Sequence, residues 1–252
     1  MSESNPSTSM VAMITAAGEG IGEATAHAFV EAGYHLVLVD VNAETVHATA
    51  ANLPGGIAEV VVADVTDEAA VAALVTRALD RFGRVDVLVN VVGGSRPGKT
   101  AAELTLDEWN RMLSLNLTST FLMCRAVLPH MEQRGKGAIV NVSSGAGLRG
   151  MRANPGYVAA KAGVGALTRA LALDHGPKGV RVNCVAPGPI RTPLMRRNRT
   201  PEEIKMMGQI AITGRIGEPE EIAAGIVWLA SDASSYVMGQ TIEIDGGPSS
   251  FV

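Results

Sequence analysis

A tyrosine and a lysine stand four residues apart in this sequence, at Tyr157 and Lys161. They begin an apolar, alanine-rich run that continues to Leu173 and predicts a helix, on which residues four apart lie on the same face. An ammonium group beside a phenol favours the phenolate, so we expect Lys161 to lower the pKa of Tyr157 from its ordinary value of about 10. A tyrosine tuned in this way could act as a general acid and base near neutral pH. A surface tyrosine beside a solvated lysine would show the same spacing, so the spacing alone does not distinguish a catalytic pair from two surface residues.

The composition is typical of a soluble α/β protein. The chain has 252 residues, of which 47% are hydrophobic and 18% are charged, and it contains 28 glycines. This length is sufficient for one large domain with a substantial core. The net charge of −4 argues against a nucleic-acid surface, and every apolar stretch is shorter than the roughly 18 residues of a membrane span. We therefore expect a small-molecule partner, with no nucleic acid and no membrane.

The first residues and the cysteines add little chemistry. Residues 1–9 are polar and lack the basic start of a signal peptide, so we expect a disordered N-terminal arm and a cytoplasmic location. Cys124 and Cys184 lie inside apolar segments, without the spacing of metal ligands or of a disulfide framework. We interpret both as reduced core residues and expect no metal site.

The apolar run from Met10 to Thr15 predicts a buried strand that leads into a glycine-rich turn. A helical pattern follows as far as Ala32, and Gly33 is suited to end it. Glycines let backbone N–H groups approach a pyrophosphate, and the start of the helix adds free N–H groups and a positive dipole end. We therefore expect the turn to bind a dinucleotide through its consecutive residues Gly18, Glu19, Gly20, Ile21 and Gly22.

The next apolar run ends in Asp40, which lies 22 residues after Gly18. A carboxylate at this distance binds the ribose hydroxyls of the adenosine in dinucleotide folds. It would repel the 2′-phosphate of NADP, and Glu19 offers no cation to hold that phosphate. The pattern therefore predicts NAD as the cofactor, although a simple turn residue at the end of a strand would also be compatible with Asp40.

The same alternation continues along the chain. Further strands are predicted over 35–39, 58–63, 85–90, 137–143, 180–185 and 240–244, and helices over about 43–52, 68–82, 107–133 and 219–230. The helix from Asp107 toward Gln133 would be continuous and would contain Asn116. Seven strands alternating with helices predict an α/β fold with a Rossmann-like, doubly wound, seven-stranded parallel sheet in three layers (α/β/α). We expect one domain over residues 10–252.

Polar and glycine residues follow several of these strands. Ligands of open parallel sheets bind at the carboxyl ends of the strands, where these residues would meet. We expect a substrate lid at about 190–217, because that segment lacks a strand pattern. The cofactor contacts expected at these strand ends are Asp64, Val65, Asn90 and Gly93.

From about Met10 onward the chain resembles the classical short-chain dehydrogenase/reductases. Ser144 lies 13 residues before Tyr157, which is the usual separation in that family, and Asn116 matches its helix asparagine. Pro187-Gly188 with Thr192 matches the segment that contacts the nicotinamide carboxamide. The resemblance therefore implies further cofactor contacts at Tyr157, Lys161, Pro187, Gly188, Ile190 and Thr192. Each motif is common alone, and their combination and order are specific.

The resemblance implies hydride transfer between NAD(H) and a secondary alcohol or its ketone. Tyr157 would be the general acid and base, and Lys161 would stabilise the phenolate and bind the nicotinamide ribose. Ser144 would donate a hydrogen bond to the substrate oxygen, and Asn116 would hold a water that links Lys161 to solvent. Ser143 is an alternative to Ser144. The family is also often tetrameric, so we expect a homotetramer.

Two positions depart from the family pattern. Ala16 replaces the usual glycine after Thr15, which would crowd the backbone only if its φ angle were positive. The segment Asn90-Val91-Val92-Gly93 replaces Asn-Asn-Ala-Gly. These changes leave open a catalytically idle dinucleotide-binding protein, and among enzymes a 3-oxoacyl-carrier-protein reductase is a second alternative.

The substrate is less well defined. Six arginines fall in segments that could border the pocket, which would suit an anionic substrate or an ordinary charged surface: Arg96, Arg149, Arg152, Arg196, Arg197 and Arg199. Four methionines could form an adaptable apolar wall or could fill gaps in the core: Met151, Met195, Met206 and Met207.

Overall fold

Seven parallel strands form the centre of the molecule. The structure, a computed structural model, describes residues 9–209 and 211–247. The strands are β1 (Val11–Thr15), β2 (His35–Asp40), β3 (Ala58–Val62), β4 (Val87–Asn90), β5 (Gly137–Val142), β6 (Val180–Pro187) and β7 (Thr241–Ile244). They pair in the order β3-β2-β1-β4-β5-β6-β7, and every neighbouring pair is parallel. The predicted doubly wound parallel sheet is confirmed.

Helices connect the strands and cover both faces of the sheet. They are α1 (Gly20–Glu31), α2 (Ala43–Ala51), α3 (Glu68–Phe82), α4 (Leu106–Leu113), α5 (Ser119–Arg134), α6 (Gly145–Arg149), α7 (Pro155–His175), α8 (Pro193–Asn198), α9 (Pro201–Gln209) and α10 (Pro219–Ala230). Neighbouring residues of a strand point to opposite faces, so Met13 joins a core cluster with α3 and α5, while Ile14 joins a second cluster with α1 and α10. The sheet is therefore buried on both faces.

The crossover between the two halves of the sheet sets the position of the site. β1 lies between β2 and β4, so the chain leaves β1 toward one edge of the sheet and returns beside it to build the other half. Because all strands run in one direction, their carboxyl ends share one edge, and a crevice opens where the strand order reverses. The loops that carry the predicted site residues meet at this edge.

The predicted continuous helix over 107–133 is wrong, because it is interrupted. α4 ends at Leu113, a π-helical turn spans Ser114–Thr118, and α5 then begins at Ser119. The Asn116 side chain explains the interruption, since its Nδ2 donates to the Met112 carbonyl at 3.1 Å and to the Gly94 carbonyl at 3.0 Å. A π turn widens the helix and often marks a functional site.

The helix that carries Tyr157 begins earlier than predicted. α7 starts at Pro155 and ends at His175 instead of covering 157–173. Proline is favourable in the first turn of a helix because its missing N–H has no partner there. Tyr157 therefore lies within the first turn of α7.

The segment expected to be a lid contains two short helices, α8 and α9. A bridge between Ile190 and Gly217 joins its two ends next to the sheet. Residue 210 of this segment lies outside the described residues. So do the apolar tail Phe251-Val252 and, apart from Ser9, the N-terminal arm for which disorder was predicted.

The turn after β1 contains a strained alanine. Ala16 has a φ angle of +52°, in the left-handed region that favours glycine. The helix start packs closely against it, because a Cβ on Gly22 would lie 1.9 Å from the Ala16 carbonyl oxygen. Ala16, which replaces the usual glycine of the family, therefore has the positive φ angle that crowds its backbone. This conformation costs roughly 1–2 kcal/mol of backbone strain.

Replacing Ala16 with glycine should relieve this strain. We expect Ala16→Gly to stabilise the protein by about 1 kcal/mol and to raise Tm by about 2–4 °C in thermal unfolding. Ala17→Gly is the matched control, because Ala17 is buried in the same turn without a positive φ angle, and it should lower Tm. A lower Tm for Ala16→Gly than for the parent would contradict the strain.

Candidate active site

A cavity of about 1510 Å³ opens at the carboxyl edge of the sheet. It extends from the turn after β1, across the ends of β4 and β5, to the start of the lid. Twelve of the predicted site residues line it: Glu19, Gly20, Ile21, Asp40, Gly93, Ser144, Tyr157, Lys161, Pro187, Gly188, Ile190 and Thr192.

The other predicted residues do not line the cavity. Gly18, Gly22 and Asn116 lie directly behind its wall, where they support residues that do. The Asp64 carboxylate accepts hydrogen bonds from the backbone N–H and hydroxyl of Thr66, and Val65 is buried in the core.

Asn90 was expected to contact the cofactor, and its side chain does not reach the cavity. Its Nδ2 donates to Asn141 Oδ1 at 2.9 Å and lies 3.3 Å from the Cys124 sulfur, so the amide is buried between the sheet and α5. The turn that follows is held instead by Thr15, whose hydroxyl accepts from the Val91 N–H at 3.0 Å. The altered Val91-Val92 segment is therefore anchored through its backbone.

Asp40 and the glycine turn form one end of the cavity. The Gly18 N–H donates to Asp40 Oδ2 at 2.9 Å, and the Asn42 N–H donates to Oδ1 at 3.0 Å. Both carboxylate oxygens are thus fixed by backbone groups. Asn42 and Thr45 also line this end, and sequence reasoning missed them, although Asn42 directly precedes the predicted second helix and caps it.

An ion pair joins the glycine turn to α8. Arg197 of α8 binds the Glu19 carboxylate with both terminal nitrogens, and Arg197 Nη1 lies 2.9 Å from Glu19 Oε2. This pairing raises the pKa of Arg197 above its usual value. Sequence reasoning identified no cationic partner for the Glu19 carboxylate. The structure supplies one from 178 residues away, so the negative charge at the turn is balanced.

The end of β6 and the start of α8 complete this wall. A Cβ on Gly188 would lie 2.7 Å from the Asp245 Cβ, so the chain passes too close to β7 for any side chain. Thr192 caps α8 by accepting from the Met195 N–H at 3.2 Å. A Cβ on Gly20 would meet the Thr192 methyl at 3.1 Å, so the lid rests directly on the glycine turn.

Tyr157 and Ser144 both line the cavity. Ser144 caps α6, and its hydroxyl accepts from the Ala146 N–H at 3.2 Å. Burial raises the pKa of Tyr157, and the neighbouring Ser144 hydroxyl offsets only part of that rise. The prediction that Lys161 lowers this pKa is therefore wrong for this structure, because burial sets the direction of the shift.

Lys161 is buried behind the tyrosine and is held by the end of β5. It is 3% exposed, and its Nζ donates to the Val142 carbonyl at 2.9 Å. Burial lowers the pKa of Lys161 to about 8, because the charged form loses its hydration. The Ser143 hydroxyl donates to the Lys161 carbonyl at 2.7 Å. Ser143 is thus committed to the backbone of α7, which leaves Ser144 as the serine that faces the reacting groups.

Gly93 lies between the two polar side chains that surround this lysine. A Cβ on Gly93 would come within 2.7 Å of Lys161 Nζ and 2.8 Å of Asn116 Oδ1. Asn116 Oδ1 also accepts from the Gly94 N–H at 2.9 Å. The π turn therefore positions Asn116 to fix the loop after β4 against Lys161.

Comparison with known proteins now identifies the family. A family model described as enoyl-(acyl carrier protein) reductase matches residues 15–249. A cis-4-hydroxycyclohexanecarboxylate dehydrogenase from Sinomonas cyclohexanicum is 44% identical over 94% of this chain and 95% of its own length. The chain belongs to the short-chain dehydrogenase/reductase family.

Solved short-chain dehydrogenase/reductase structures share the whole fold. The crystal structure of a levodione reductase matches with a TM-score of 0.89 and 37% identity, over 94% of this chain and 96% of that one. The structure of ElxO with NADP bound matches with a TM-score of 0.88 and 30% identity, over 95% and 98%. A nicotinamide dinucleotide is therefore the cofactor class to test against this cavity.

The residues present fit such a cofactor. Gly20 has a φ angle of +60°, and the glycine turn leaves the backbone N–H groups at the start of α1 free of side chains. Gly93 and Gly188 are also positions where a Cβ would collide with neighbouring atoms, so the backbone itself forms the wall. Asp40 and Lys161 both line the cavity, Asp40 at the end of β2 and Lys161 on α7 after β5, as separate contacts to the two riboses of a dinucleotide require.

The lowered pKa of Lys161 should appear in the stability of the protein. Between pH 8 and about 10.5 the unfolded chain retains a proton on this lysine that the folded protein has released. The contribution of Lys161 to the free energy of unfolding therefore rises with pH across that window. Urea unfolding at several pH values should show a steeper rise for the parent than for Lys161→Met.

The control is the same substitution at Lys205, which is exposed on α9. Lys205→Met should keep the pH dependence of the parent. Equal slopes for the parent and Lys161→Met between pH 8 and 10 would show that the buried lysine titrates normally.

Proposed function

We propose that the protein is an NAD-dependent oxidoreductase that interconverts a secondary alcohol and its ketone, with Tyr157 as the general acid and base. One observation carries this proposal: Tyr157 and Ser144 line the same cavity, and its wall also contains buried Lys161. The similar cis-4-hydroxycyclohexanecarboxylate dehydrogenase is named for a secondary alcohol, which supports this reaction class.

The protein has to orient the substrate and move one proton, while the nicotinamide, when bound, accepts or supplies the hydride. In alcohol oxidation the Tyr157 Oη takes the hydroxyl proton, and in ketone reduction it returns that proton. The Ser144 hydroxyl donates to the substrate oxygen and stabilises the charge that develops on it. Lys161 holds a positive charge behind the phenol, and Asn116 fixes the loop that packs on this lysine.

The protonation state of Tyr157 gives the reaction a pH preference. Because burial raises its pKa, the phenol stays protonated at neutral pH, and this is the form that donates to a ketone. The phenolate that alcohol oxidation requires becomes more abundant as pH rises. The geometry therefore favours reduction near neutral pH and oxidation under alkaline conditions.

NAD is the preferred cofactor in this proposal because Asp40 lines the cavity with both carboxylate oxygens held by backbone N–H groups. A fixed carboxylate accepts hydrogen bonds from the two ribose hydroxyls, whereas a 2′-phosphate would bring negative charge against it. Arg197 is engaged with Glu19, so the cation nearest the glycine turn is already neutralised.

We also propose a cytoplasmic homotetramer, following the family resemblance. Phe121 on α5 and Leu173 on α7 are exposed apolar side chains that contact with another subunit would bury. Among the described residues, no helix is both long and apolar enough to cross a membrane.

Tyr157→Phe tests the catalytic proposal. It removes the phenolic oxygen and keeps the ring, so the protein should fold while kcat for a secondary alcohol falls about 1000-fold. Tyr236→Phe is the matched control, because Tyr236 is fully exposed and should keep parent activity. NADH formation with a panel of secondary alcohols is the measurement.

Two outcomes would contradict the proposal. Turnover by Tyr157→Phe near the parent rate would remove the tyrosine from the mechanism. A parent protein that binds NADH but turns over no alcohol or ketone would instead favour the idle dinucleotide-binding protein.

Asp40→Ala tests the cofactor preference. It should lower kcat/KM for NAD and raise kcat/KM for NADP, each by about tenfold, since it removes both the ribose acceptor and the repulsion. Glu44→Ala is the control, because Glu44 is an exposed carboxylate in the first turn of the adjoining α2 that does not line the cavity. A parent enzyme that prefers NADP would refute the role of Asp40.

A further inference from the structure

The six arginines near the pocket differ in what they contact. Arg149 binds Glu243 and also reaches Asp245, at 2.6 Å from its carboxylate. Two others on the lid are paired as well: Arg197 with Glu19, and Arg199 with Glu203 at 3.3 Å. The positive charges of these three arginines are thus balanced by the protein itself.

Two of the remaining three arginines, Arg152 and Arg196, do not line the cavity. Arg96 does line it, in the loop after β4. Within residues 9–209 and 211–247, Arg96 has no carboxylate within salt-bridge distance and no side-chain hydrogen bond. Arg96 is therefore the cavity arginine whose charge the described residues leave unbalanced.

The loop that carries Arg96 is fixed relative to Tyr157. The Asn154 side chain donates to the Ser95 hydroxyl at 2.6 Å, directly before Arg96. The backbone N–H groups of Gly98 and Lys99 both donate to the Ala153 carbonyl, at 2.9 and 3.2 Å. These bonds attach both sides of Arg96 to the segment that leads into the first turn of α7. The guanidinium is thus presented from a backbone whose position relative to the reacting phenol is set.

Much of the wall of the cavity that contains Arg96 is apolar. Side chains from α4, the π turn, the loop before α7, α8 and α9 line it: Met112, Leu115, Met151, Leu194, Met195 and Met207. The three carboxylates that line the cavity are engaged elsewhere, Asp40 with backbone N–H groups, Glu19 with Arg197 and Asp245 with Arg149. No acidic side chain in the described cavity is free to accept from Arg96.

We infer that the substrate is a carboxylated secondary alcohol or ketone with an apolar body, and that Arg96 binds its carboxylate. This inference rests on the proposed function and adds the substrate class. A guanidinium matches a carboxylate with two parallel N–H···O bonds, while the methionine and leucine side chains adapt to the hydrocarbon between carboxylate and hydroxyl. The recognition is also geometric, because the carboxylate must lie at the Arg96 end when the hydroxyl reaches Tyr157 and Ser144.

The test compares matched substrate pairs on the parent and on variants. The pairs are 4-hydroxycyclohexanecarboxylate, mandelate and 3-hydroxybutyrate, each with its methyl ester, in which a methyl group replaces the negative charge. For the parent, kcat/KM should be higher for the carboxylate that fits than for its ester. Arg96→Gln should raise KM for that carboxylate about 10- to 100-fold, with kcat and the ester values nearly unchanged.

Two further variants separate charge from local structure. Arg96→Lys keeps the charge without the fork geometry, so it should restore part of the loss. Arg152→Gln removes a neighbouring exposed arginine that does not line the cavity, so it should leave every value at the parent level. The carboxylate preference of the parent should also weaken as salt is added.

Equal kcat/KM for carboxylates and esters in the parent would overturn the inference while leaving the oxidoreductase proposal intact. So would an Arg96→Gln variant that keeps the parent preference for the carboxylate. Absence of turnover by the parent with every carboxylate, ester and neutral alcohol would overturn the proposed function, and the substrate class would fall with it.

Discussion

The burial of one ammonium group governs the geometry of the site. Lys161 is attached to the end of β5 twice, through its Nζ to the Val142 carbonyl and through its own carbonyl to the Ser143 hydroxyl. A buried cation is costly unless it is hydrogen-bonded, so the surrounding chain cannot shift freely. α7 is thereby fixed against the sheet edge, and Tyr157, one turn earlier, is brought to Ser144. Gly93 has to be a glycine because this lysine and Asn116 occupy the space of a side chain.

Much of the fold could be predicted from the sequence, because its signals are local. The helices over Glu68–Phe82 and Pro219–Ala230 match their predicted bounds, and all seven strands occur where apolar runs meet turn residues. The π turn could not be predicted in this way. It depends on a hydrogen bond from Asn116 to Gly94, in a loop distant in sequence, and no periodic pattern records such a contact.

The candidate site was also predictable only in part, because some of its properties depend on contacts between distant residues. The positions of Ser144, Tyr157 and Lys161 around one cavity follow from strand ends and helical spacing, whereas their electrostatics depend on packing. The sequence indicated a lowered pKa for Tyr157, but burial dominates and raises it. The ion pairs of the arginines could not be predicted from the sequence either, because Arg149 binds Glu243 and Asp245, which lie more than 90 residues further along the chain. Charge balance in this cavity is a tertiary property.

The contact between Thr192 and Gly20 has a mechanical consequence. The first turn of the lid rests on the turn that faces the dinucleotide, and Arg197 ties the two together through Glu19. The two halves of the cavity therefore share one wall. Any displacement of α8 would change the enclosure of both halves together.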